Sequence, residues 1–495
     1  MNTLHNTPFC SLNASADVNQ SAIDRAAGNV LRYKFAVGLF DHPLADPSLW
    51  PARDSEQAQR LAYEAAVQSI VLLKNERGVL PLSAPGLAGK NVLVLGELAD
   101  SGKDLLGDYN PAAGVPVDSI YTALRANLFA AAGSAGAAAA PPQFKYVVGA
   151  GPKSKAGAAG TIPDAVSAHA NWSDVTIVVV GDNTATTAGF ARESAGESAD
   201  RASLDVVGAQ LDLLEALANV QRQRKQAPGA SAASQVPALI VVLVHARPVS
   251  FGVRNALLEH VDALLAAWRP GEKGGAAVTD LLTGVATPSA HLTQAWLQSS
   301  SFVKSPASPW YQDFPANGVP QKDYYDATTA PLFPFGFGLS YTTFSIVGSS
   351  IRVGAGGQSV SPPSARAGPN ATIAVAVSVQ NTGNVTGAAT VQVYAQRPML
   401  RGKTRMQRQL AGFEKVQIAA GSTVDVTVAV RQGDLARYDS YSREWVVDSG
   451  GWTFWIGTCA GSAWGGYGGG KDKNAWGCEM VQAPAPYILS AAVVF

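Results

Sequence analysis

The chain has 495 residues, 47% of them apolar and 15% charged, which supplies enough apolar side chains for two or three cores and excludes a disordered tail. Lys plus Arg and Asp plus Glu both number 37, so nothing favours nucleic acid or an anionic membrane, and a neutral partner such as a sugar suits the balance. No apolar run is long enough to span a bilayer, and MNTLHNTPFCSLNASADVNQ lacks the basic start and apolar stretch of a signal peptide.

The first element is a helix within residues 21–40, where Ile23, Ala26, Ala27, Val30 and Leu31 fall at helical spacing and Gly38 marks the stop. Asp41, His42 and Pro43 open an irregular connector to about Arg53. A second helix is expected over EQAQRLAYEAAVQSIVLLKN, with Leu61, Ala65, Val67 and Ile70 along its stripe and Gly78 and Pro81 beyond its end. Short β-branched runs follow at Asn91–Gly96, Tyr146–Gly149, Val175–Gly181, Ala238–Val244 and Val261–Trp268, with helical patterns such as Leu211–Val220 between them. Near-continuous apolar strands separated by helices predict an α/β fold with a mostly parallel sheet covered on both faces.

Two biased segments, AAAGSAGAAAAPPQ around 130–143 and QRQRKQAPGASAASQ around 221–235, read as surface loops without chemistry. Beyond about residue 300 the period changes to two. Residues 371–380, 389–396 and 423–430 alternate between Gly/Asn/Pro-rich joints, which predicts a small antiparallel β-sandwich. The expected division is a first segment 1–53, an α/β/α sandwich 54–300, a linker 301–345 and the β-sandwich 346–495.

Open α/β sheets bind ligands beyond the carboxyl ends of their strands. The strand ending at Gly181 is followed by DNTATTAGFARESAGESADR, which concentrates Asp182, Glu193, Glu197, Asp200 and Arg201. A polar loop of this length is either a site or a solvated excursion. Competing motifs fail: GAGPKS lacks the third glycine of a dinucleotide fingerprint, no phosphate-binding loop occurs, and Ser198 lacks the following glycine of a nucleophile elbow. The six histidines are scattered, so neither a metal nor a cofactor is expected. Cys459 and Cys478 flank a Gly/Trp-rich loop that a disulfide could close, and Asn13, Asn171, Asn370 and Asn384 each open an N-x-S/T triplet. These leave the compartment open.

Five separate stretches resemble glycoside hydrolase family 3, of the β-glucosidase/β-xylosidase type. They are DRAAGNVLRYKFAVGLFD (24–41), EAAVQSIVLLKNERGVLPL (64–82), WRPGEKGGAAVTDLLTG (268–284), LFPFGFGLSYTTF (332–344) and LAGFEKVQIAAGSTVDVTV (410–428). The resemblance implies the end of a barrel domain in 1–53, then an α/β sandwich, then a fibronectin-III-like domain. It also implies a retaining exo-β-glycosidase, with an Asp nucleophile on the barrel and a Glu acid/base in an E-G-x-D-R-like motif of the second domain. Glu197-Ser198-Ala199-Asp200-Arg201 matches that motif with Ser198 in place of Gly, which makes Glu197 the acid/base candidate and Glu193 the runner-up. Asp200 and Arg201 are expected to support the loop through an ion pair.

Retention requires the two carboxyl groups roughly 5–5.5 Å apart. A barrel needs roughly 250 residues, so the resemblance leaves this chain without the nucleophile domain and implies no turnover by it alone. The surface such a barrel covers would then be exposed and apolar. Leu106-Gly107-Asp108-Tyr109 is expected to be a turn, and Phe335, Phe337 and Tyr341 to pack in the linker. His245-Ala246-Arg247-Pro248 and Ala290-His291-Leu292 depart from the family's N-G-x-P and G-R-L. The implied substrate is an oligosaccharide or an aryl or alkyl β-glycoside, with the xylosidase/arabinofuranosidase branch favoured over β-glucosidase, and with no nucleic acid or membrane partner. The resemblance also implies export. The alternative is a non-catalytic carbohydrate-binding or scaffolding relative.

Overall fold

The computed structural model describes residues 20–44, 46, 55–107, 117–134, 140–152, 161–183, 194–196, 200–226, 237–300, 331–353, 372–398, 409–458, 480–482, 487–489 and 492–494. Several sequence expectations lie outside these residues: Glu193, Glu197, Asp108, Tyr109, the linker stretch 301–330, most of the connector after residue 44, the Cys459–Cys478 pair, Asn13 and Asn370.

The chain divides into two units, Met1–Arg60 and Leu61–Phe495. In the first, helix α1 (Gln20–Ala36) stops where expected, with Gly38 at φ 70° and its N–H on the Phe35 carbonyl. None of its residues is buried, and Val30, Leu31, Tyr33 and Phe35 lie exposed, with the Phe35 and Phe40 rings in contact at 4.4 Å. The second element differs from expectation. Helix α2 (Glu56–Ser69) ends before Ile70, Val71–Asn75 form strand β1, and two short helices, α3 (Ala84–Leu87) and α4 (Gly102–Leu106), follow in the chain. Ile70, Val71, Leu72 and Leu73 are all buried, and a residue run buried on every side suits an inner strand better than a one-faced helix.

Strands β1, β2 (Asn91–Leu95), β3 (Gln143–Val147), β4 (Val175–Gly181), β5 (Ala238–Val244) and β6 (Ala263–Trp268) form one sheet in the order β1-β6-β5-β4-β2-β3. All neighbours are parallel except β1, which runs antiparallel to β6. β3 begins three residues before the expected Tyr146. The biased segments are also not loops throughout: helix α5 runs Ile120–Ser134, and 221–226 complete helix α7 (Gln210–Gln226). Ala is the strongest helix former, which carries α5 into its Ala-rich end.

The apolar strands are explained by the layers above and below them. Along β4, Val178 and Val180 pack into one core while Val175, Ile177 and Val179 pack into another; β5 divides Leu239, Val241 and Leu243 from Ile240, Val242 and Val244 in the same way. Side chains alternate faces along a strand, so a strand apolar at every position needs cover on both sides. Ala165 and Ala168 of α6 (Thr161–Asn171) and Leu213, Leu214 and Leu217 of α7 cover one face. Ala66 of α2, Leu124 and Leu128 of α5, and Val278 and Leu281 of α8 (Gly274–Thr283) cover the other. Each fully buried Leu or Val contributes about 1.5–3 kcal/mol.

Residues 332–339 belong to the first core through Leu332, Phe333 and Phe337, and Tyr341 donates its hydroxyl to the Leu281 carbonyl. The β-sandwich follows. Its main strands are β7 (Phe344–Val353), β8 (Thr372–Asn381), β9 (Gly387–Gln396), β10 (Gln409–Ile418) and β11 (Thr423–Arg431), with antiparallel pairings throughout. Val375, Val377, Val391, Val393, Val428 and Trp452 form its core. Phe335 stands edge-on to Tyr394, and Gln392 donates to the Gly336 carbonyl at 3.0 Å, which seats the sandwich on the linker.

Candidate active site at the carboxyl edge of the sheet

The chain passes outward from β2 to β3, then returns to β4 on the other side of β2. A reversal of this kind marks, in open α/β sheets, the place beyond the carboxyl ends of the two strands where ligands are held. Glycine permits the close approach there. Gly96 has φ 104° and Gly181 φ 145°, and a Cβ on either would collide with a neighbouring strand's carbonyl, Val179 or Val244.

Gly181 is held by Gln210, a fully buried residue at the start of α7. The Gly181 N–H donates to Gln210 Oε1 at 2.9 Å, and Gln210 Nε2 donates to the Gly181 carbonyl at 2.8 Å and the Val207 carbonyl at 2.8 Å. The side-chain amide thus replaces a strand partner and satisfies a peptide that burial would otherwise leave unpaired.

The next residue, Asp182, is 1% exposed. Arg247, on the loop after β5, places Nη2 at 3.1 Å from Asp182 Oδ1, and Ser194 donates to the same oxygen at 3.3 Å. The Asn183 N–H donates to Ser194 Oγ at 3.0 Å. Arg247 also reaches the other end of the polar excursion, donating to the Leu204 carbonyl at 2.7 Å and the Asp205 carbonyl at 3.2 Å. One guanidinium therefore clasps both stems of the segment between β4 and α7. Its planar fork suits several acceptors at once.

The return stem has its own bonds: Ser250 donates to Asp205 Oδ1 at 2.5 Å, the Ser250 N–H to the Leu204 carbonyl at 2.9 Å, and the Leu204 N–H to Ser300 Oγ at 2.7 Å. Burial holds the Asp182 carboxyl above its ordinary range, against the opposing pull of Arg247 and Arg201. Among the described residues its Oδ2 has no hydrogen-bond partner. A raised, buried carboxyl of this kind at a topological switch point marks a candidate functional position.

His245 caps β5. It is fully buried, with its ring 4.5 Å from that of Trp268 and 5.1 Å from that of Trp296. Nδ1 lies 2.7 Å from the Arg247 carbonyl; a carbonyl only accepts, so Nδ1 carries the proton. Burial first, then the nearby arginines, push its pKa down to about 3. His245 is therefore neutral at physiological pH and acts as packing rather than as a proton carrier. Trp268 holds φ 54°, a left-handed conformation that a bulky residue adopts only under constraint from its surroundings. Arg269 beside it donates to the Asn183 carbonyl at 3.2 Å.

Among the residues anticipated from sequence, Asp200 and Arg201 are both exposed on the returning stem. Among the described residues no ion pair joins them to each other. Arg201 instead donates to the Asp205 carbonyl at 3.5 Å, and it feels the charges of Asp182 and Asp205. Glu193 and Glu197 lie outside the described residues, while their neighbours Ser194–Gly196 and Asp200 lie within them. Sequence reasoning missed Gln210, Arg247 and Ser194. Gln210 heads an apolar helical stripe, where a buried amide is out of place without a partner, and that was the available signal. Among the described residues of the α/β layers the exposed large apolar side chains are Leu61, Val148 and Val285. No group of three metal-ligating side chains occurs among the described residues.

Comparison with known proteins follows the same lines. The glycosyl hydrolase family 3 C-terminal domain matches residues 70–341, and a fibronectin type III-like domain matches residues 389–460. A β-xylosidase of Formosa agariphila is 29% identical over 457 residues, covering 88% of this chain and 53% of that protein. A periplasmic β-glucosidase of Salmonella typhimurium is 30% identical over 446 residues, covering 84% of this chain and 51% of that protein. A solved β-glucosidase structure from Erythrobacter marinus superposes with a TM-score of 0.68 at 27% identity, covering 95% of this chain and 56% of that one. The chain thus spans about half the length of the relatives it matches. No helix among the described residues is long and apolar enough to cross a membrane.

Proposed function

We propose, on the premise that this chain belongs to glycosyl hydrolase family 3, that it provides the acid/base side of a retaining exo-β-glycosidase site. Glu197 is the general acid/base and Glu193 the alternative. In the first step Glu197 donates its proton to the departing glycosidic oxygen while a carboxylate nucleophile takes the anomeric carbon. In the second it accepts a proton from the attacking water. The nucleophile is assigned to no residue of this chain, so the chain alone is expected to turn nothing over. Asp200 and Arg201 support the returning stem.

The observation that carries this reading is the Arg247 clasp. It ties Asp182 and the 204–205 backbone at 2.7–3.2 Å and so fixes both ends of the segment that contains E-S-A-D-R. A solvated excursion needs no largely buried guanidinium at its base. The substrate proposed is a β-xyloside or β-glucoside at the non-reducing end of an oligosaccharide, and the xylosidase branch is favoured. By analogy with the periplasmic relative, the site of action is outside the cytoplasm. No cofactor enters the chemistry.

The test joins this chain to the N-terminal half of the Formosa agariphila β-xylosidase and compares Glu197→Gln with Glu193→Gln on aryl β-xyloside and β-glucoside. Loss of the acid/base lowers kcat by about 10²–10⁴. The proposal expects that loss for Glu197→Gln and less than about tenfold for Glu193→Gln. The reverse pattern transfers the role to Glu193, and no loss in either removes both. Sugar binding by the joined protein without any turnover would favour a non-catalytic carbohydrate-binding relative.

A further inference from the structure

A second polar site lies at the opposite edge of the sheet. A cavity of about 350 Å³ opens at the amino ends of β2, β4 and β5, with Arg77, Lys90, Arg224, Asp174, Ser83 and Ser173 among its walls. Three of these side chains are cationic and one is a carboxylate. The carboxylate is already engaged: Asp174 accepts the Asn91 N–H at 2.8 Å and faces Lys90 at 3.6 Å. Arg77 pairs at 2.8 Å with Asp262, but Asp262 is shared with Lys225 at 2.9 Å, so a single negative charge answers two cations there.

Arg224 has the weakest compensation. It donates to the Ala170 carbonyl, and no ion pair to it occurs among the described residues. Its pKa is lowered by burial alone, with no carboxylate to oppose the effect. The adjoining segment 227–236, APGASAASQV, contains no Asp or Glu to supply one. A partly buried cation without a counter-ion is unfavourable, and an anion in the cavity relieves that cost.

We infer that this cavity binds a doubly charged oxyanion of the phosphate or sulfate class, held by the guanidinium of Arg224, with Lys90 and Arg77 contributing charge and Ser83 and Ser173 lining the site. The surplus of two positive charges matches a dianion. Charge-assisted bonds from Arg to such groups are among the strong hydrogen bonds. The volume lies at the small end of ligand sites, which admits the anion free or as the terminal group of a small ester. The site is separate from the candidate site at the carboxyl edge, so its test does not depend on glycosidase activity.

The experiment is thermal unfolding of the full chain in inorganic phosphate, sulfate, glucose 6-phosphate and glucose, at ionic strength fixed with NaCl. Saturable stabilisation by the oxyanions beyond NaCl is expected. Arg224→Gln weakens the apparent Kd roughly ten- to hundredfold. Lys90→Gln, at an exposed side chain, weakens it by up to about fivefold. Lys103→Gln, a surface cation outside the cavity, leaves it unchanged. Tighter binding of glucose 6-phosphate than of inorganic phosphate identifies an ester as the ligand; equal or weaker binding identifies the free anion. The inference is overturned if oxyanions act no differently from NaCl, if glucose acts as well as glucose 6-phosphate, or if Lys103→Gln weakens binding as much as Lys90→Gln does. Should Arg224→Gln fail to fold, the comparison of Lys90→Gln with Lys103→Gln decides the matter.

Discussion

Replacing Arg247 by Met keeps the stem of the side chain and removes its charge. The Arg247–Asp182 contact at 3.1 Å is a gross attraction of about 5 kcal/mol at an effective dielectric of 20. The guanidinium also serves the Leu204, Asp205 and Pro248 carbonyls. Its loss leaves Asp182, 1% exposed, as a buried carboxylate without its ion-pair partner and with only Arg201 to oppose its burial, which costs about 3–5 kcal/mol near pH 7.

Asp182 can escape by taking up a proton, and its carboxyl already lies above its ordinary range because of burial. Removing Arg247 raises it further. The folded variant then holds a proton that the unfolded chain has released, so stability falls as pH rises between the unfolded and folded pKa values. From pH 7 to pH 5 the penalty shrinks by up to about 2.7 kcal/mol, two units at 1.36 kcal/mol each. Urea unfolding followed by tryptophan fluorescence reads this well, since Trp268 and Trp296 pack against His245 beside the clasp. In Asp182→Asn/Arg247→Met the pH dependence disappears and part of the stability returns. A penalty that is equal at both pH values, or a double variant as unstable as the sum of the singles, refutes the reasoning.

At the amino edge, Asp262 is fully buried and accepts from the Leu239 N–H, Gln221, Lys225 and Arg77 at 2.8–2.9 Å. Burial alone would raise its pKa, but the Leu239 N–H and Lys225 outweigh it and the carboxyl lies below its ordinary value. Its stabilisation is therefore present above the unfolded pKa near 3.9 and lost as pH falls through the folded value. Asp262→Ala should cost about 3–5 kcal/mol at neutral pH, read by urea unfolding; a cost below about 1 kcal/mol would contradict the assignment. Gly181→Ala combines φ 145° with a collision against the Val244 carbonyl, so strain of at least about 1–3 kcal/mol is expected, seen as a lower Tm; an unchanged Tm would disprove the close approach. The chain alone should release no nitrophenol from aryl β-xyloside or β-glucoside, and measurable release would overturn the assignment of the nucleophile elsewhere.

The sheet was largely legible because β4 and β5 are seven-residue runs, apolar but for Thr176 in β4, with both faces covered. β1 was not, since the helical stripe through Leu61 and Ala65 leads without a break into Ile70–Leu73, and periodicity alone cannot separate a short buried strand from the end of a helix. The 221–226 stretch looked like a polar loop because all six of its residues are charged or amide-bearing. Yet Gln221 continues the Leu214 and Leu217 stripe at helical spacing and is fully buried against the Pro237 carbonyl and Asp262. The candidate site was legible only as a segment. Its clasp joins residues 182, 194, 204–205 and 247, which sequence separation hides. The departure of His245–Pro248 from N-G-x-P was visible, but the role of Arg247 was not, because it depends on which carbonyls the fold brings within reach.

The most direct test of Glu197 as the acid/base is azide rescue of Glu197→Gln in the joined protein, using an aryl glycoside whose leaving group needs no protonation. Azide attacks the glycosyl–enzyme without needing a general base. The account predicts that azide restores turnover and yields a glycosyl azide of retained β configuration, identified by NMR. Activity unaffected by azide, or an α-configured product, would contradict it.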